Sequence, residues 1–111
     1  MEKGTEEIHV EGFRGVWIPA EIMYLFWNGT LSAQEMMLLT TIDSLVSRTP
    51  SGQFVGCYAS NAYLGKRLGG ISAERASRIV SRLVELELVT ITGFNGRKRF
   101  IETKWSRINK N

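Results

Sequence analysis

Two helical patterns follow one another between residues 60 and 86. In the second, Ala76, Ile79, Val80, Leu83 and Leu86 recur at helical spacing and make one apolar face. The opposite positions hold Arg75, Ser77, Arg78, Ser81 and Arg82. In the first, Ala62, Tyr63, Leu64, Lys66, Arg67 and Leu68 form a shorter helix. Ser60 and Ser72 stand where a side-chain oxygen accepts an orphan backbone N–H at each helix start. Gly69-Gly70 ends the first helix, because glycine accepts the left-handed geometry of a helix C-terminus. The stretch therefore reads as a helix–turn–helix whose second helix is apolar inside and arginine-rich outside. Such a helix suits a DNA groove. An ordinary helical hairpin with a solvated basic face has the same pattern, so the flanking elements decide between them.

Upstream, Leu31-Ser32-Ala33-Gln34-Glu35 is a helix start with capping-box spacing, and Leu31 is placed to staple onto Met36. This helix is expected to run to about Val46. Leu38, Leu39, Ile42, Leu45 and Val46 form its buried stripe, and Met36 and Met37 read as core filler. Ala20 to Trp27 is a short apolar segment of one or two helical turns, broken by Asn28-Gly29. Gly12 to Pro19 reads as a short strand that Pro19 stops, or after which it opens the next element. Arg48-Thr49-Pro50-Ser51-Gly52 reads as a loop and Phe54 to Tyr58 as a short strand.

Downstream, two β-type runs, Val89 to Phe94 and Arg97 to Glu102, flank Asn95-Gly96, a strong hairpin signal. With that pair as the turn, Phe94 faces Arg97, Thr92 faces Arg99 and Ile91 faces Phe100. Alternation then puts Ile91 and Phe100 on a core face and Phe94, Arg97 and Arg99 on an outward face. Three consecutive basic residues suit a phosphate backbone, though edge strands also carry charge to resist aggregation.

The chain has 111 residues, 43% hydrophobic and 23% charged, which fits one domain with a modest core. The expected layout is a disordered lead-in over 1–10, a domain over 11–104 and a basic tail over 105–111, with Trp105 as an anchor. No apolar run reaches the roughly 18 residues of a membrane span, and the acidic start is unlike a signal peptide. A cytoplasmic protein with no membrane partner is expected. Cys57 is the one cysteine, which excludes an internal disulfide and a cysteine-rich zinc site. His9, the one histidine, reads as a solvated side chain. No cluster of nucleophile, base and acid, no glycine-rich phosphate loop and no carboxylate pair stands out. The sequence points to no enzyme, catalytic residue, cofactor or metal.

Charge sharpens the picture because it is unevenly placed. Residues 1–59 hold three Lys/Arg against seven Asp/Glu, net −4, and residues 60–111 hold eleven against four, net +7. A polyanion is the expected partner of the second half.

A helix, a helix–turn–helix and a basic hairpin, in that order, resemble the winged-helix family of DNA-binding domains. Gly12-Phe13-Arg14-Gly15-Val16-Trp17-Ile18-Pro19, then Leu31 to Leu45, then Gly56-Cys57-Tyr58-Ala59-Ser60-Asn61 resemble the N-terminal domain of replication proteins of Gram-positive phages and plasmids. These are the initiator and replisome-organiser types, and the resemblance covers about residues 12–103. It implies an α+β winged helix-turn-helix fold, with a three-helix core, a C-terminal hairpin wing and a short N-terminal strand. It also assigns roles by position. Ala73, Glu74, Arg75, Ser77 and Arg78 match the base-reading part of the second helix. Ser60, with its neighbour Asn61, and Arg82 match phosphate contacts. Phe94, Asn95, Arg97, Lys98 and Arg99 fall on the wing. Glu87 departs from the pattern, standing where many relatives have a helix-ending glycine. Such proteins also usually add a second domain, for which this length leaves no room.

The expected function is DNA binding in the replication of a phage, plasmid or other mobile element. Transcriptional regulation on duplex DNA is the alternative, and single strands stay open because Phe94 beside the wing arginines suits stacking. A protein-interaction module is the other class, with Phe13, Trp17, Tyr24, Phe26 and Trp27 as its surface, although the pattern favours these residues as core. Expected partners are DNA, replication proteins and a second copy in a homodimer, with Trp17, Trp27 or the tails at the contact.

Overall fold

Three serine caps set the helix starts as the spacing predicts. The computed structural model describes residues 17–45, 47–48, 54–95 and 98–106, and of 47–48, 54–55, 94–95 and 98 the backbone alone. The lead-in 1–10 with His9, residues 11–16, Val46, residues 49–53, Gly96, Arg97 and the tail 107–111 lie outside the described residues. Helices α1 (Ala20–Trp27), α2 (Ala33–Ser44), α3 (Asn61–Arg67) and α4 (Ala73–Glu85) precede an antiparallel hairpin of β3 (Val89–Asn95) and β4 (Lys98–Thr103). A smaller pair, β1 (Ser47–Arg48) and β2 (Phe54–Gly56), sits between α2 and α3. The result is an α+β arrangement of four helices and a C-terminal hairpin. Trp17 to Pro19 is irregular rather than a strand, and Pro19 caps α1 by accepting from the Ile22 and Met23 amides at 3.0 and 3.3 Å.

At α2 the capping box is complete. The Glu35 amide donates to Ser32 Oγ at 3.1 Å and the Ser32 amide donates to Glu35 Oε1 at 2.8 Å. Together these satisfy two orphan donors and contribute about 1 kcal/mol. Leu38, Leu39 and Ile42 are fully buried and form the centre of the core with Ile22, Leu64, Leu83 and Ile101. Met36 is buried with them, but Met37 is exposed, one position round the helix, and is not core filler.

Ser60 accepts from the Tyr63 amide at 3.1 Å and Ser72 from the Arg75 amide at 3.0 Å, so both helices of the α3–α4 pair start where expected. Gly69 and Gly70 both take positive φ, 81° and 92°, in the turn between them. The end of α4 resolves the Glu87 departure. Glu87 occupies the left-handed position itself, at φ 61°. Its amide reaches Val84 O at 2.9 Å and the Leu88 amide reaches Leu83 O at 3.0 Å, the paired bonds of a glycine-type helix stop. A side chain there costs roughly 1–2 kcal/mol, part of which glycine would return as unfolded-chain entropy. Glu87→Gly is therefore expected to raise stability by about 0.5–1 kcal/mol, read as a higher denaturant midpoint at unchanged slope.

The hairpin forms, but one residue out of the expected register. Asn95 pairs with Lys98, so Gly96-Arg97 is the connecting pair, not Asn95-Gly96. A bulge then interrupts the ladder at Gly93, whose φ is 52°, and Thr92 pairs with Phe100 and Ile91 with Ile101. A slip of one residue exchanges the faces of β4, while Ile91 stays on the face of Val89. The expected Ile91–Phe100 core pair does not exist: Ile91 is 47% exposed, Phe100 is half-buried and Ile101 is buried in its place. Arg99 shares the inward face with Ile101 and Thr103. Cys57, next to β2, bonds Ile101 through both backbone groups at 2.7 and 2.9 Å, which joins the two strand pairs.

The far end of the hairpin is fixed by a buried polar knot. Thr103 Oγ1 donates to Asp43 Oδ1 at 2.6 Å, and the Thr103 amide donates to Ser106 Oγ at 2.7 Å. Trp105 is buried and its Nε1–H donates to Glu21 Oε1 of α1 at 3.2 Å. Trp105 and Ser106 thus belong to the packed body rather than to the tail.

Candidate nucleic-acid interface

The faces of α4 separate cleanly. Ala76, Ile79, Val80 and Leu83 are buried, while Ala73, Glu74, Arg75, Ser77, Arg78, Ser81 and Arg82 are exposed. The arginines among them have different surroundings. Arg75 Nε donates to Gln34 Oε1 at 2.6 Å. Arg82 Nε pairs with Glu35 Oε2 at 2.9 Å, and its Nη2 donates to Thr30 O at 3.1 Å. Both flank the helix and tether it to the first turn of α2. Arg82 is about half exposed, so solvent screening keeps such a pair to roughly 1 kcal/mol or less. Glu35 serves twice, with one carboxylate oxygen in the capping box and the other on Arg82. Between these two arginines Arg78 points outward and, among the described residues, makes no hydrogen bond or ion pair. Ser77 and Ser81 stand beside it, and Glu74 adds one negative charge to the first turn.

The hairpin contributes differently from expectation. Arg99 is half-buried and folds back on the body: Nη1 donates to Ala59 O and Nη2 to Asn61 Oδ1, both at 2.7 Å. The register slip is the cause, since it turns residue 99 inward. Charge-assisted bonds of this length are the strong kind, and they lock the turn end of β4 to the entry of α3. Asn61 is therefore already occupied, and Ser60 Oγ holds the Tyr63 amide. The backbone puts Phe94 opposite Arg99 and Asn95 opposite Lys98 at the hairpin end, and Arg97 lies outside the described residues. The structure thus brings Ser60, Asn61 and Arg99 together in one clasp. It places Arg75 and Arg82 against α2, and Arg78 on the open face.

One set of exposed residues escapes sequence reasoning. It is on α3, where Lys66 is exposed and Arg67 lies over Tyr63, with the guanidinium carbon 5.8 Å from the ring centroid and Nη1 3.3 Å from the hydroxyl. The i, i+4 spacing of Tyr63 and Arg67 was the available signal. Of the aromatic residues read as an interaction surface or as core, Tyr24 and Trp27 are exposed on α1, Trp17 is exposed just before it and Phe26 is half-buried. Cys57 is buried beneath the clasp. Burial pushes its thiol up and outweighs the lowering by the Ala59 backbone bond and the Arg99 charge, which keeps it protonated at neutral pH.

Among the described residues no group of three His, Cys, Asp or Glu could hold a metal ion, and no helix is long and apolar enough to cross a membrane. No protein-family model, curated protein or solved structure matches the chain.

Proposed function

We propose that this chain is a winged-helix DNA-binding protein. In this reading α2, α3 and α4 are the three-helix core, α4 is the reading helix and β3–β4 is the wing. The observation that carries it is the outer face of α4. An Arg78 with no hydrogen bond or ion pair among the described residues stands between two serines on a helix whose opposite face is core, while Arg75 and Arg82 tether that helix to α2. A rigid element presenting one fork-shaped donor suits bidentate contact with a guanine edge or a phosphate. The charge split supports it, with the positive half of the chain containing α3, α4 and the hairpin. A role in replication, as an initiator or organiser of a phage, plasmid or other mobile element, is supported by the sequence resemblance. Transcriptional regulation would use the same duplex contact.

The exposed Tyr24 and Trp27 favour a second, compatible reading. This face of α1 would bind protein, either a second copy or a replication partner. A mass by light scattering separates the two.

Titrating a labelled duplex at low salt tests the DNA reading. Arg78→Ala should weaken binding by about 1–3 kcal/mol on the preferred sequence and less on others. A uniform loss would make Arg78 a phosphate contact. Unchanged duplex affinity would contradict the reading.

A further inference from the structure

An open cavity of about 370 Å³ lies between the end of α2 and the start of α3, lined by Leu45, Tyr58, Ala59, Ser60 and Tyr63. Its walls are mostly apolar. The two tyrosines are 48% and 43% exposed. Tyr58 meets Phe100 of β4 edge to face, with centroids 6.4 Å apart, so the cavity adjoins the hairpin. On the other side Arg67 covers Tyr63, and Lys66 is exposed next to it. Behind Ala59 stands the Arg99 guanidinium. Among the described residues that line it there is no carboxylate.

We infer that this cleft takes an unpaired base of single-stranded DNA, an inference that rests on the DNA-binding reading. The size is within the ~300–1,000 Å³ of small-ligand sites, and tyrosine rings flanked by cations are what a base and its phosphate require. Tyr63 offers a ring for stacking, and Arg67 against that ring, with exposed Lys66 on the same helix, supplies positive charge for the adjoining backbone. A duplex cannot use the cleft in this way, because its base faces are covered by their neighbours and only edges are presented. The charge complementarity is what commits the site to a nucleic acid. An apolar peptide would fill the walls but gain nothing from the basic rim unless it were acidic. The chain then has two distinct contacts: α4 for duplex and the α2–α3 cleft for a strand end or melted segment.

The test uses the full chain and fluorescence anisotropy at fixed salt with three probes: an oligothymidylate of about twelve nucleotides, an abasic strand of equal length, and a duplex. Wild type is expected to bind the oligothymidylate about tenfold or more tighter than the abasic strand, since both carry the same phosphates. Tyr63→Ala should lose about tenfold on the oligothymidylate and change the other two less than about twofold, while Tyr63→Trp should retain binding. Melting curves verify that each variant folds, and the wild-type comparison does not depend on them. Equal wild-type affinity for the two single strands would overturn the proposal. So would full oligothymidylate binding by folded Tyr63→Ala, the result expected if the cleft takes a peptide. In either case duplex binding sensitive to Arg78 would leave the DNA reading standing. Binding to none of the three probes would overturn both.

Discussion

Gly65→Ala is expected to destabilise the protein by about 2–3 kcal/mol, although in an ordinary helix this change stabilises by roughly 1 kcal/mol. Gly65 is buried within α3, and the turn into α4 is wrapped around it. Its carbonyl accepts from the amides of Leu68, Gly70 and Ile71 at 3.1, 3.0 and 3.1 Å. A methyl group at Gly65 would overlap the Ile71 carbonyl oxygen and lie 3.3 and 3.4 Å from Ile71 C and Ser72 O. These are backbone atoms just before and at the cap of α4, and no side-chain rotation relieves the contact. The start of α4 would have to move away from α3, loosening the burial of Ala76, Ile79 and Val80 behind it. For a domain of this size the loss corresponds to a fall of about 10–20 °C in Tm, measured by circular dichroism. A variant as stable as the parent, or more so, would mean that the turn tolerates displacement and that helix propensity decides.

Much of this architecture was legible because local chemistry specified it. Ser32, Ser60 and Ser72 cap the helices they were expected to cap, and the stripe Ala76–Ile79–Val80–Leu83 is buried as its spacing required. Asn28-Gly29 ends α1, and a hairpin follows α4. What was not legible depends on distant partners or on a single residue of slip. The hairpin register failed because a bulge at Gly93 and a turn one residue later both change which side chains share a face. That error sent Arg99 to the wrong side, so its clasp on Ala59 and Asn61, about forty positions away, had no sequence signal. The arginines of α4 looked equivalent in sequence. Gln34, Thr30 and Glu35, each more than forty positions upstream, set Arg75 and Arg82 apart from Arg78. The role of Gly65 has no sequence signal, since its close approach to Ile71 is visible only when the two helices are packed. Glu87 was recognised as an exception, and the positive φ gives its physical meaning.

Arg78 on α4 and Lys66 on α3 are exposed cations that make no hydrogen bond or ion pair among the described residues, whereas Arg75, Arg82 and Arg99 have partners within the fold; the sequence adds Arg97 and Lys98 to the basic half of the chain. If about five phosphates are neutralised, the logarithm of the affinity falls with that of salt at a slope of about −4.5. Between about 50 and 200 mM salt that amounts to a loss of roughly 500-fold. Replacing Lys98 with glutamine should flatten the slope by about one, whereas Arg78→Gln should lower affinity for the preferred sequence with little change of slope, and Arg75→Gln should change neither. The salt titration of duplex binding, followed by fluorescence anisotropy on the wild-type protein, is the direct test of DNA binding. A steep wild-type slope is the expected result. Binding that ignores salt, or no duplex binding at low salt, would contradict it.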